Sequence, residues 1–236
     1  VRRGPQEGRG RQGREVPLGN LGAGSDFTPF FHHGGIPSFD MGSGGDYGVY
    51  HSMYDTFHWM KSFGDPGFLM HATMARIAGI TLLRLADADV LPFDYEEYAE
   101  ELQRYVAELE GVAGASAEGK LALAELREAV AAFSASATRA KRALDASAGS
   151  AELNRALVLV EQDLVAPQGL SDRPWYKHTV YAPGAYAGYA AVLFPGVREP
   201  LDRGDWETAR RELAVLVAAL RRATARLDEV ALLAAQ

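Results

Sequence analysis

The sequence predicts a mostly α protein in which the end of an α/β domain runs into a helical bundle. Three observations carry this. Two long apolar seams lie after residue 94, and both alternate spacings of three and four. One is Leu123, Leu126, Val130, Phe133, Ala137, Ala140 and Leu144; the other is Trp206, Ala209, Leu213, Leu216, Leu220, Ala223, Leu227 and Val230. Such stripes are the narrow faces of bundle helices. Before residue 90, a short capped helix leads into a short apolar run at 36–41, which reads as a strand and makes an α/β alternation. That part offers one strand where a sheet usually has about five. The expectation is therefore the remnant of a larger α/β domain.

In chain order, three parts are expected: a basic leader at 1–21, the α/β remnant at 22–93 and the helical domain at 94–236. The leader carries Arg2, Arg3, Arg9, Arg11 and Arg14 among Gly and Gln. It reads as a solvated tail that buries no core, with phosphate contact as the alternative. Ser25 or Asp26 caps a helix over 27–33 that Gly34-Gly35 ends. Residues 42–48 form a loop with four glycines in seven positions, and it delivers Tyr50 and His51. Asp65 caps the next helix, with Pro66 at its first position, running to about 87. Leu91-Pro92-Phe93-Asp94 breaks it. Helices follow over 95–110, 123–144, 152–165 and 206–233, with a small-residue linker at 111–119. Residues 166–204 hold five prolines and four tyrosines and read as an extended, ordered loop crossing the bundle.

Composition narrows the function. The chain has no cysteine, which excludes disulfides, thiolate metal sites and a Cys nucleophile. Net charge is -7, of which the first fifteen residues contribute +3, leaving an acidic body at -10. That argues against nucleic acid as a partner. No apolar run approaches the roughly 20 residues that span a bilayer, and the leader lacks the apolar region of a signal peptide. The glycine loop lacks the Gly-Lys-Ser/Thr ending of a phosphate loop, and no Gly-x-Ser-x-Gly elbow is present. His32 and His33 are adjacent on a helix, so their side chains diverge by about 100° and seldom share a metal; they read as surface caps at a helix C-terminus. His71 reads as packed against the bundle, and His58 and His178 have no partner at ligand spacing.

Several segments together resemble the glutamate carboxypeptidase and transferrin receptor family of zinc metallopeptidases. They are Gly22-Ala23-Gly24-Ser25-Asp26-Phe27, Gly35-Ile36-Pro37-Ser38, Tyr50-His51-Ser52-Met53-Tyr54-Asp55 and Phe63-Gly64-Asp65-Pro66. The series continues with residues 85–94, Asp172-Arg173-Pro174-Trp175-Tyr176-Lys177-His178, Tyr181-Ala182-Pro183 and Phe194-Pro195-Gly196. The order holds over nearly the whole chain after residue 20.

The resemblance implies the C-terminal part of a dizinc exopeptidase: the end of its α/β zinc-peptidase domain, then a helical transferrin receptor-like dimerisation domain. It implies two zinc ions in the intact enzyme, a peptide substrate, a homodimer through the helical domain and an extracytoplasmic setting. His51 falls on the family's last zinc ligand; its family partners, one His, two Asp and two Glu, would lie upstream of Val1. Tyr50 falls on a tyrosine that hydrogen-bonds the substrate and the tetrahedral intermediate. Gly24 and Ser25 fall on a segment lining the cleft, and Tyr189 on a tyrosine that contacts the substrate's terminal carboxylate. Three departures stand out. Gly188 replaces a lysine of the glutamate-directed enzymes, Ser25 an asparagine, and Asp40 and Gly42 two arginines. Each removes a group suited to acidic substrates, so a neutral or broad aminopeptidase or dipeptidase pocket fits better. The chain alone is expected to be inactive. The alternatives are a non-catalytic dimerisation or binding scaffold and a free-standing helical module; the α/β remnant argues against the latter.

Overall fold

A computed structural model describes residues 19–116, 121–186 and 188–236. The predicted leader lies almost wholly outside these residues, as does part of the linker predicted at 111–119.

The bundle forms where the seams place it. It comprises α3 (Tyr95–Ser116), α4 (Ala124–Leu144), α5 (Ala151–Asp163) and α7 (Trp206–Ala234). α7 packs on α4 and α5, and α3 packs on α4. Leu126, Phe133, Leu157, Leu220 and Leu227 are fully buried, each contributing about 2 kcal/mol by leaving water. Leu144 and Trp206, at the ends of their seams, are partly buried against the same core.

Polar groups fix the helix ends. Ser150 Oγ accepts from the Leu153 amide at 3.1 Å and starts α5. Asp205 does the same for α7 through Thr208. Asp94 accepts from the amides of Glu96 and Glu97 at 3.0 and 3.2 Å. Its other oxygen pairs with Lys141 on α4, so one carboxylate both caps α3 and ties it to α4. That Lys141 contact is the main reason the Asp94 carboxyl lies below its ordinary pKa. Asn154 on α5 anchors the segment that leads into α3, accepting from Leu91 N at 2.8 Å and donating to Asp89 O at 2.9 Å.

The crossover at 166–204 is more structured than an extended loop. β1 (Tyr181–Pro183) and β2 (Ala191–Leu193) pair antiparallel, with Tyr181 opposite Leu193. α6 (Pro195–Asp202) follows and packs on α7. Pro195 suits the first turn of a helix, but Pro200 inside eight residues hides the helical period from the sequence. Arg173 fastens this region, donating to Pro183 O at 2.6 Å and to Glu199 at 2.8 Å.

The first part departs further from expectation. Pro29–His33 is a π-helical turn within the predicted 27–33 helix. No side chain of Ser25 or Asp26 caps it; the Thr28 amide and hydroxyl both donate to Ser25 O. The strand expected at 36–41 is not formed: the strands among the described residues are β1 and β2. A strand exists only through its pairing partner, and residues 36–41 have none here. A short helix, α1 (Phe57–Trp59), runs on into a π-helical turn at Met60–Gly64.

α2 (Leu69–Ala86) starts three residues after Pro66, because Gly67 and Phe68 have φ of 84° and 57° and cannot begin a right-handed helix. Asp65 still caps it, accepting from the amides of Met70 and His71 at 3.2 and 3.0 Å. His71 is exposed rather than packed on the bundle; its Nδ1 donates to Asp65 at 2.7 Å. α2 buries none of its residues. No single helix among the described residues is long and apolar enough to cross a membrane; Phe57–Gly64 and Leu69–Ala86 pass only together, as a pair bent by 97°.

Candidate functional site

Residues 22–25 run against residues 189–191. The Ala23 amide donates to Tyr189 O at 2.9 Å. A Cβ at Gly22 would sit 1.8 Å from that oxygen, and one at Gly24, where φ is 103°, would sit 2.7 Å from the Tyr189 ring. Only glycine allows this approach. The Tyr189 ring lies over Gly24 and is 64% exposed. Ser25 Oγ reaches Asp40 at 3.5 Å. The structure thus brings Gly24 against Tyr189, with Ser25 next in the chain and turned to Asp40.

Tyr50 and His51 form a separate group, on a turn after the glycine loop. His51 has φ of 60°, a left-handed conformation that costs a β-carbon residue about 1 kcal/mol. The two rings stack on each other, with centroids 3.8 Å apart. Ser52 closes the turn, its hydroxyl donating to Val49 O at 2.6 Å and accepting from Tyr54 N at 3.1 Å. Tyr50 and His51 are exposed. Among the described residues no hydrogen bond or ring contact joins either to Gly24, Ser25 or Tyr189. Nor do three His, Asp or Glu side chains gather to hold a metal ion there. His51 is a single candidate donor, and the described residues do not by themselves fit a two-zinc centre.

The other histidines divide. His32 is not a surface cap but is fully buried, its ring nitrogens facing Gly22 O and Tyr181 O. His33 does lie at the helix end; Nδ1 donates to Trp175 O at 2.8 Å and Nε2 accepts from Lys177 at 3.1 Å. His178 has a partner that spacing does not reveal. Its Nε2 donates to Glu161 at 2.7 Å, and its Nδ1 accepts from the amides of Val180 and Tyr181 at 3.2 Å. The one sequence signal for this pair is a carboxylate, Glu161, directly beside the apolar Val160, which α5 buries.

Between residues 19–40 and the bundle lies a cleft of about 400 Å³ whose walls include Phe31, Tyr95, Tyr98 and Tyr181. Tyr105 donates to Asn20 at 2.6 Å, and the hydroxyls of Tyr105 and Tyr181 are 3.2 Å apart. Burial pushes the pKa of Tyr95, Tyr98, Tyr105 and Tyr181 upward. These hydroxyls are neutral hydrogen-bonding groups, not bases.

The sequence matches the transferrin receptor-like dimerisation domain family over residues 117–228. It is 37% identical over 210 residues to a probable glutamate carboxypeptidase of Arabidopsis thaliana, covering 86% of this chain and 31% of that protein. A probable glutamate carboxypeptidase of Arthroderma benhamiae is 37% identical over 80% of this chain and 27% of its own length. An aminopeptidase of Mus musculus is 34% identical over 91% of this chain and 32% of its own length. The chain spans about a third of the length of these relatives. Its relatives are thus peptidases of the glutamate carboxypeptidase type, and the chain belongs to the glutamate carboxypeptidase and transferrin receptor-like family, as its C-terminal part.

Proposed function

We propose that this chain is the C-terminal segment of a dizinc exopeptidase, supplying the last zinc ligand, His51, the substrate-pocket residues and the homodimer interface. The domain division proposed is 22–93 for the end of the peptidase domain and 94–236 for the dimerisation domain. The observation that carries the reading is the state of Tyr50 and His51: both side chains stand exposed on a strained turn, and neither hydrogen-bonds any described residue. A turn that holds an imidazole outward at a conformational cost suits a group whose partner lies outside the described residues.

Bound zinc would activate a water and polarise the scissile carbonyl. His51 would offer it a neutral ring nitrogen. The Tyr50 hydroxyl would donate a hydrogen bond to the oxygen on which charge develops. Gly24, with no side chain, lets the exposed Tyr189 ring lie close over the segment, where the ring would meet substrate. Ser25 and Asp40 replace groups that would hold an acidic side chain, which favours neutral or broad exopeptidase substrates over glutamate.

The test is made on the intact protein, with zinc content and dipeptide hydrolysis both measured. His51→Ala is expected to lose activity and bound zinc. Tyr50→Phe is expected to keep zinc and lose about 10²-fold in kcat. The 236-residue chain alone is expected to show no hydrolysis. Full activity in His51→Ala, or zinc-dependent hydrolysis by this chain alone, overturns the reading. An intact protein that binds no zinc and cleaves nothing makes it a dimerising scaffold.

A further inference from the structure

We propose that His32 is a positioning residue of the substrate cleft: its buried ring is the strut that holds residues 22–25 against Tyr189. This role rests on the proposed peptidase function and adds a residue to it. Residues 22–25 belong to no helix or strand, so single contacts place them. The Ala23 amide donates to Tyr189 O, and His32 Nε2 meets Gly22 O. The His32 ring is itself fixed. It is fully buried, among the rings of Phe27, Phe31, Tyr176 and His178. Its backbone oxygen accepts from the amides of Lys177 and His178 at 2.8 and 3.0 Å. Of its two ring contacts, the one to Gly22 O is shorter than the one to Tyr181 O, 2.5 against 3.2 Å. The single proton of the neutral ring therefore sits on Nε2 and is donated to Gly22 O. Without that donor, Gly22 O is left buried and unpaired, which is costly. Tyr181 cannot yield, because β1 holds it opposite Leu193. Gly22 can, because exposed Gly24 and Ser25 follow it in irregular chain. It turns toward water, and the contact of Gly24 with the Tyr189 ring goes with it. Tyr50 and His51 stand on a separate turn, so the chemical groups stay in place while substrate loses its fit.

The test compares dipeptide hydrolysis by the intact protein with His32→Leu, which has no donor, and with His32→Gln, whose amide N–H reaches the same oxygen. His32→Leu is expected to raise KM about tenfold and to leave kcat within about twofold, the pattern of lost binding and retained chemistry. His32→Gln is expected to restore most of the KM. The strut is read separately by NMR on the 236-residue chain, whatever the intact protein hydrolyses. There the His32 ring is expected in the Nε2–H tautomer. The Ala23 amide is expected to exchange about tenfold faster in His32→Leu than in His32→Gln or the unsubstituted chain. An intact protein that hydrolyses nothing sinks the peptidase reading alone, and the strut then stands or falls by the two NMR readings. Should His32→Leu not fold, the tautomer in the unsubstituted chain still decides. The proposal is overturned by an unchanged KM in His32→Leu, by a loss confined to kcat, or by a KM defect that glutamine does not rescue. The Nδ1–H tautomer, or Ala23 exchange that ignores the substitution, overturns it as well.

Discussion

At His32 two carbonyl oxygens compete for one proton. Its ring nitrogens face Gly22 O and Tyr181 O, 10 and 149 residues away in the chain. A neutral imidazole has a single N–H and can donate to only one of them. Protonation would add the second donor, yet burial outweighs that gain and, with His178 close by, holds the His32 pKa below its ordinary 6.5. The unfolded chain therefore takes up this proton more readily than the folded one. His32 contributes its stability above its unfolded pKa of about 6.5 and loses it as pH falls toward the folded value. The urea midpoint is expected to decline between about pH 7 and pH 5, and His32→Gln is expected to flatten that decline. An unchanged slope in the variant places the acid sensitivity elsewhere. The sequence shows His32 only as half of an adjacent pair at a helix end, because the carbonyls that enclose it converge from distant segments. Gly24 was singled out only through the resemblance, as part of a cleft-lining segment; that the Tyr189 ring packs against it is set by the fold.

At the level of elements, energy and legibility follow the same division. The α4 and α7 seams were readable because each helix repeats its own pattern over many turns, and the same residues make the core. Phe133 is fully buried, and Phe133→Ala is expected to cost about 3–5 kcal/mol. Ser150→Ala, which removes a cap and no packing, is expected to cost about 1 kcal/mol. Chemical denaturation of both variants checks this order; equal losses would mean that the α4 seam is not the core. The elements missed were α1 and the π-helical turn after it, α6, and the strands β1 and β2, none longer than eight residues. Such pieces owe their form to neighbours, as Phe194 does when its amide donates to Val180 O at 2.8 Å. The strand expected at 36–41 fails by the same logic, since an apolar run gives a strand nothing to pair with.

Across the whole molecule, one end is closed and the other open. Seam residues of the bundle are almost wholly buried, whereas Leu69, Leu82 and Leu83 on α2 are 71%, 60% and 71% exposed. A cluster of apolar side chains this open marks a surface that another surface covers. Under the proposed function, α2 is covered by the part of the peptidase that this chain does not span, while the bundle makes the homodimer. These are two different surfaces, and they can be separated. Light scattering on the chain at about micromolar concentration, where specific dimers persist, is expected to give twice its 25.5 kDa mass. Replacing Leu82 and Leu83 together by Glu disables the α2 surface and leaves the bundle untouched, because neither side chain enters the core. If the bundle holds the dimer, the double variant keeps its mass and gains solubility. A monomeric double variant would show that copies associate through α2, and the assignment of the dimer to residues 94–236 would fall.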